Sequence, residues 1–323
     1  MKKIAIIGAG ISGVMAGYQC KRNGHDVTLF DKSRGVSGRS TTKRWDNEGK
    51  LGIDIGVPYI SENEFESLSD GIKSFILTEN LLKPWNISVH HKNDIETMKT
   101  YVGIPKMNSF CRQIATELNV IAQQKIVGIT FDKTWTLVTD EDQFNGFDIL
   151  LIAIPAPQVS EIHGMPMDVI HVAQGATYQA VNTLYLESKA PLWSEDYEED
   201  KIDSNVIKTI LADYLKPSRN PDRFTYVVHS SPLWATDTFD QLSKDGVQEI
   251  MINELCHRYK IDKHQLIDAK LHRWKYAYPQ QTSNDSGFYK SNTLPLYACG
   301  DWCKGTTFVS AIESGSLLAH NIQ

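Results

Sequence analysis

The stretch from Lys3 to Asp31 constrains the fold most tightly. The run Lys3-Ile4-Ala5-Ile6-Ile7 is short and apolar, and Gly8-Ala9-Gly10-Ile11-Ser12-Gly13 follows at once. Ser12 to Asn23 reads as a helix, with Val14, Met15 and Tyr18 at helical spacing. Gly24-His25 breaks it, and Asp26 to Asp31 returns as a strand ending in an acid. A strand, a glycine turn, a helix and a second strand with an acid about 20 residues past the glycines form a dinucleotide-binding unit. Gly8 permits the tight turn, Gly10 lets the backbone approach a pyrophosphate, and Gly13 lets helix and strand pack closely. The helix N-terminus offers N–H groups and partial positive charge to phosphates. Asp31 can accept hydrogen bonds from a ribose diol. The motif leaves nicotinamide and flavin dinucleotides both open.

The chain has 323 residues, enough for one large or two medium domains. A net charge of −6 argues against a nucleic-acid partner. The first strand starts too early for a signal peptide, and the longest apolar run, Ile149 to Pro157, is too short for a membrane span. Five scattered cysteines fit a reducing cytoplasm. The close pair Cys299 and Cys303 reads as core packing, and no metal site is expected. The oligomeric state is left open.

Past Asp31, Lys32-Ser33-Arg34-Gly35-Val36-Ser37-Gly38-Arg39-Ser40 is glycine-spaced, basic and rich in hydroxyls. An extended dinucleotide needs such a loop, because its pyrophosphate must be met from a second side. A guanidinium suits phosphate oxygens, which points to Arg39. The run Leu51 to Tyr59 reads as a strand entering a turn, with Gly56 allowing close approach of something flat. His90-His91 falls on a strand, so the two rings point to opposite faces and read as exposed polar residues. Ile126 to Phe131 and Trp135 to Thr139 form a hairpin. Phe147 to Ile154 has the look of a buried parallel strand, and Pro155-Ala156-Pro157 ends it at a domain crossing. From Gln158 to Pro279, β-branched and aromatic strands and an amphipathic helix at 246–259 predict a mixed-sheet substrate domain. The acidic run Glu195 to Asp203 reads as a solvated loop.

The last segment returns to the nucleotide. Leu294 to Cys299 is a strand followed by Gly300-Asp301, and Val309 to His320 is a helix with Ala311, Ser314 and Gly315 as close-packing residues. A glycine–acid pair at a strand end can bind a polyol, and the helix beyond it aims its positive end at what the polyol carries. Joining chain start to chain end in this way favours FAD over NAD.

Together, Gly8 to Gly13, Asp31, Gly38-Arg39, Asp54-x-Gly56, the hairpin at Ile126 and Gly300-Asp301 resemble the FAD-containing amine-oxidase superfamily. More narrowly, the chain resembles bacterial renalases. The patches that carry this are Phe30 to Gly35, Ile154 to Gln158, Val227-Val228-His229-Ser230-Ser231-Pro232-x-Trp234, His272 to Ala277 and Cys299 to Cys303. The resemblance implies an α/β fold of the amine-oxidase/p-hydroxybenzoate-hydroxylase type. A discontinuous Rossmann-like FAD-binding domain (1–80, 103–157 and 288–323) would carry a mixed-sheet α+β substrate domain (81–102 and 158–287). It implies non-covalent FAD held by Gly8, Gly10, Ile11, Ser12, Gly13, Asp31, Lys32, Gly38, Arg39, Ser40, Ile55, Gly56, Ile126, Gly300, Asp301, Phe308 and Val309. Renalases oxidise isomeric 2- and 6-dihydronicotinamide forms of NAD(P)H and pass the electrons to O2, giving H2O2. Such hydride transfer needs alignment more than acid–base help, and no catalytic residue is singled out.

Tyr59, His229, Trp274 and Tyr276 are candidates to shape the pocket. Trp274 and Tyr276 also fit as plain cross-strand pairs, and His229 reads first as a structural histidine. Three stretches depart from the family pattern: Ser37-Gly38, Val57-Pro58 and Lys304 to Ala311. Positions 57, 58 and 307 to 309 should line the reacting face of the flavin. The alternatives are an amine or other small-molecule oxidase or desaturase, and a flavin-binding protein without turnover.

Overall fold

A computed structural model describes residues 1–46, 51–194, 196–282 and 286–322. The opening unit forms as its sequence predicts: β1 (Lys3–Ile7), α1 (Ile11–Arg22) and β2 (Asp26–Asp31). β1 is central in a six-stranded sheet whose order runs Tyr289–Lys290, Leu296–Ala298, Ile149–Ile152, β1, β2, Asn119–Ala122. All neighbours pair in parallel except the first two strands. This explains the unbroken apolar runs of β1 and Ile149–Ile152: both faces are covered, one by α1 and the terminal helix Phe308–His320, the other by the three-stranded sheet at 128–147.

A second, eight-stranded sheet has the order Leu266–Gln281, Thr177–Ser188, Thr225–Ser230, Ile207–Ala212, Glu199–Lys201, Leu82–His91, Asp94–Gly103, Ile60–Ser61. It is mixed: Glu199–Lys201 runs parallel to Leu82–His91, and the other pairs are antiparallel. One face (Leu184, Leu186, Tyr226, Val228, Ile210) packs under the helix Lys244–Tyr259. Tyr185, Val227 and Trp274 on the other face pack against Ile53 and Ile55 of the nucleotide-binding part. The site lies between these two layers.

Four expectations need correction. Residues 158–176 do not open the substrate domain: Val159, Ile162, Val169 and Ala173 share a core with Ala5, Ile7 and Ile152, so the crossover follows Ala176. Ile60–Ser61, within the 1–80 segment, joins the second sheet through Tyr101 and Thr100. The acidic run is no solvated loop, although Glu195 lies outside the described residues. Glu199 and Asp200 are on a central strand and buried, at 5% and 1% exposure. Asp200 accepts from His90 Nδ1 (2.8 Å), Arg258 Nη2 (3.0 Å) and the Tyr259 hydroxyl (2.6 Å), so His90 is a partnered residue and only His91 is exposed. Cys299 and Cys303 are core residues, as expected.

A buried ionic cluster joins the two layers. Asp54, next to Ile55, accepts from Lys216 Nζ (3.0 Å) and Arg219 Nη2 (2.5 Å), from Thr42 Oγ1 (2.6 Å) and from the Met107 amide (3.1 Å). Asp213 binds the same two cations at 2.9 and 3.1 Å. Two positive and two negative charges thus neutralise one another out of water, which a buried set requires. Burial opposes ionisation of Asp54, and Lys216 and Arg219 outweigh it, holding its carboxyl below the usual range.

Candidate active site

A cavity of about 1090 Å³ runs between the sheets, from Asp31 and Lys32 at one end to His229 and Trp274 at the other. That is larger than the ~300–1,000 Å³ of ordinary ligand pockets. At the nucleotide end, Gly8 has φ +108°, and an added Cβ would lie 2.6 Å from the Ala153 carbonyl oxygen. A Cβ on Gly13 would overlap the Gly8 carbonyl. Gly10, by contrast, meets no atom within 4 Å: its open side is the cavity. Asp31 also serves its own turn, accepting from the amides of Ala9 (2.7 Å) and Ser33 (2.8 Å).

Arg39 and Asp301, which the sequence aims at phosphate and polyol, are paired with each other. Nη1 reaches Asp301 Oδ2 at 2.6 Å and Nη2 reaches Oδ1 at 3.0 Å. Nη1 also donates to the Ala277 carbonyl (3.0 Å), and Tyr178 donates to Asp301 at 3.3 Å. Burial opposes the Arg39 charge, but Asp301 outweighs it and raises the guanidinium pKa. Both residues face the cavity.

The two chain ends meet here. Gly315 of the terminal helix lies so close to α1 that an added Cβ would overlap the Ser12 carbonyl oxygen. Ser314 Oγ accepts from the Gly300 amide at 2.9 Å. The terminal helix is capped by Thr307, whose hydroxyl accepts from the Ser310 amide (3.2 Å), and its first residue, Phe308, lines the cavity. Both helices thus direct N-terminal positive charge at one space. An open Gly10, two converging helix ends, a cationic loop and a long cavity fit FAD.

At the far end, strand register gathers Val181, Thr183, Thr209, His229, His272, Trp274 and Tyr276. Thr183 pairs with both His229 and His272, and Val181 with Trp274. Trp274 Nε1 donates to Thr183 Oγ1 (3.1 Å) and the Ile55 carbonyl (3.3 Å). Burial, with Lys216 adding to it and a hydrogen bond to the Ile55 backbone opposing, lowers the His229 pKa to about 4. Burial, with Lys43 and Lys244, lowers His272 to about 4 as well. Both imidazoles are neutral at pH 7. Tyr59 donates to Glu199 Oε2 at 2.6 Å.

Of the sequence candidates, Gly8, Gly10, Ile11, Ser12, Asp31, Lys32, Gly38, Arg39, Ile55, Gly56, Ile126, Asp301 and Phe308 line the cavity, with Tyr59, His229, Trp274 and Tyr276. Val57, Pro58 and Thr307 also line it. Gly13, Ser40, Gly300 and Val309 stand behind the wall. Gly13 is a packing contact. Ser40 is buried and turns its hydroxyl to the Ser37 carbonyl (2.9 Å). Gly300 abuts the Trp302 ring, and Val309 is in the core. The sequence reading missed Tyr178, Thr183, Thr209 and His272. Alternation along His272-Arg273-Trp274-Lys275-Tyr276 could have found His272, since period two puts it on the face of Trp274 and Tyr276.

The fold and the site define an FAD-dependent oxidoreductase. A model of flavin-containing amine oxidoreductases matches residues 85–323, and one of NAD(P)-binding Rossmann-like domains matches 6–74. The chain belongs to the flavin-containing amine oxidoreductase family. Among curated proteins it is similar to 4,4'-diaponeurosporene oxygenase of Staphylococcus haemolyticus, 36% identical over 26% of this chain and 17% of that enzyme. The same enzyme of Staphylococcus aureus (strain USA300) is 24% identical over 57% of this chain and 36% of its own length. The matches therefore cover well under half of those relatives. Among solved structures it is similar to wild-type putrescine oxidase bound to putrescine (TM-score 0.73, 14% identity, 99% and 98% of the two chains). It is also similar to a CLA-producing fatty acid isomerase from P. acnes (TM-score 0.72, 11% identity, 100% and 99%). These structural likenesses show the fold alone. Among the described residues no helix is long and apolar enough to cross a membrane.

Proposed function

We propose that the enzyme is an oxidase of 2- or 6-dihydronicotinamide isomers of NAD(P)H, returning normal NAD(P)+ and passing the electrons to O2 to give H2O2. FAD, held non-covalently, supplies two-electron acceptance and reoxidation by oxygen. The observation that carries the reading is the chemistry of the second-sheet wall. Among the described residues, the strands 177–188, 207–212, 225–230 and 266–281 contribute no carboxylate to the cavity. They offer an indole, two phenols and two neutral imidazoles, with Lys208, Arg273 and Lys275 also on the wall. A flat neutral ring can stack there and a phosphate can reach a lysine. A protonated amine finds no counter-charge on this wall; the carboxylates that line the cavity, Asp31, Glu64, Glu161 and Asp301, come from other elements, with Asp301 paired to Arg39 and Glu64 accepting from the Ser61 amide (2.9 Å) and hydroxyl (2.7 Å).

No side chain is needed as a base, which suits histidines held neutral by burial. Trp274, fixed by its bonds to Thr183 and Ile55, orients the ring, and alignment of this kind supplies most of the rate. Anaerobic stopped-flow mixing with the purified dihydronicotinamide isomers should bleach the flavin rapidly. Absence of bleaching, with H2O2 release from an amine panel instead, would transfer the assignment to an amine oxidase.

A further inference from the structure

Hydride removal from a dihydropyridine leaves one hydrogen-bonded pair unused. Tyr59 lines the cavity, and behind it Glu199, 5% exposed, accepts the phenol proton at 2.6 Å. Glu199 lies on the central strand Glu199–Lys201 of the second sheet, and Tyr59 packs beside Trp85, Ile87 and Val89. The phenol is therefore fixed by its packing and by a short bond from the rear. Burial raises the Glu199 pKa, with the Tyr59 bond and Lys201 opposing; in this pair the phenol is the donor, and a phenol has a single proton. With that proton given to Glu199, the Tyr59 oxygen has only acceptor capacity left for the cavity.

We propose that Tyr59 is a specificity-determining residue that accepts a hydrogen bond from bound substrate and does not donate one. It selects molecules that present an N–H or O–H at this wall. If the cavity takes nicotinamides, as proposed above, the group selected is the primary carboxamide N–H. The donor rule itself does not depend on that reading. A site built to pair with a donor discriminates strongly against a ligand of the same shape that lacks it, because a buried polar group is then left without a partner.

The test uses the FAD-loaded enzyme and two probes of equal size and charge: nicotinamide mononucleotide and its 3-acetylpyridine analogue, in which methyl replaces NH2. Calorimetric titration should show the amide binding about tenfold or more tighter. Tyr59→Phe should bring the two affinities to within about twofold of each other. Glu199→Met keeps the phenol but frees its proton for the carbonyl that both probes share, so it too should erase the difference, chiefly by tightening the acetyl compound. Equal affinities in the parent enzyme, or an amide preference that survives both substitutions, would overturn the proposal. If neither nucleotide binds, the nicotinamide reading falls. Benzamide against acetophenone then decides the donor rule alone, and equal affinities or no binding for that pair would overturn it.

Discussion

Gly315→Ala tests whether the two ends of the chain close the cofactor cavity together. The added Cβ would overlap the Ser12 carbonyl oxygen and lie 3.0 Å from the Ser12 carbonyl carbon. Both are backbone atoms, so no rotamer change relieves the clash. Bringing the contact out to van der Waals distance requires the helices to part by about 1 Å. Overpacking of this kind costs about 1–3 kcal/mol, which lowers Tm by about 1.5–4.5 °C for a chain of this size. Ile11 and Ser12 at one helix start and Phe308 at the other both line the cavity. Misaligning one dipole should raise the FAD Kd by about two- to fivefold. Differential scanning fluorimetry with and without saturating FAD, and a fluorescence titration of the FAD-free protein, measure both. Gly71→Ala is the control, because its Cβ meets nothing within 4 Å; it should be neutral or stabilising by up to about 1 kcal/mol. A Gly315→Ala protein with unchanged Tm and unchanged FAD affinity would refute the reasoning.

Further outcomes follow from the same structure. Lys216→Met leaves Asp54 and Asp213 sharing one cation, and should cost about 3–5 kcal/mol in urea unfolding; adding Asp213→Asn restores neutrality and should recover part of the loss. Arg39→Ala removes charge from the cavity wall and should weaken FAD retention by about tenfold to a hundredfold, read by equilibrium dialysis. His229 and His272 have folded-state pKa values near 4, below the ~6.5 of an unfolded histidine. The unfolded chain therefore binds more protons between these values. Their contribution is fully present above pH ~6.5 and is lost as pH falls toward 4, at up to about 1.4 kcal/mol per pH unit for each histidine. His229→Gln should flatten the fall of Tm between pH 6.5 and 4.5, and an unchanged slope would contradict the assignment.

The nucleotide end was legible because its signal is local. Glycine spacing, strand, helix and terminal acid lie within Lys3 to Asp31, and every part formed where the pattern placed it. The terminal helix was readable too, with Ser314 and Gly315 as its close contacts. The substrate end depends on register among strands far apart in sequence. Nothing near Thr183 announces that it will face both His229 and His272. The acidic run around Glu199 misled for the same reason: its carboxylates look solvated until their partners are brought in, Tyr59 to Glu199 from 140 residues away and Arg258 to Asp200 from 58. The crossover after Ala176 was missed because the Pro155-Ala156-Pro157 break is a local stop, and residues beyond it still bury against β1.

One cavity, closed by both ends of the chain, is built to hold a flavin. The visible spectrum of the purified protein tests this most directly, taken before and after acid precipitation. The expected result is oxidised-flavin absorption at about one FAD per chain, released fully into the supernatant as a non-covalent cofactor should be. A colourless protein that takes up no FAD on reconstitution would contradict it.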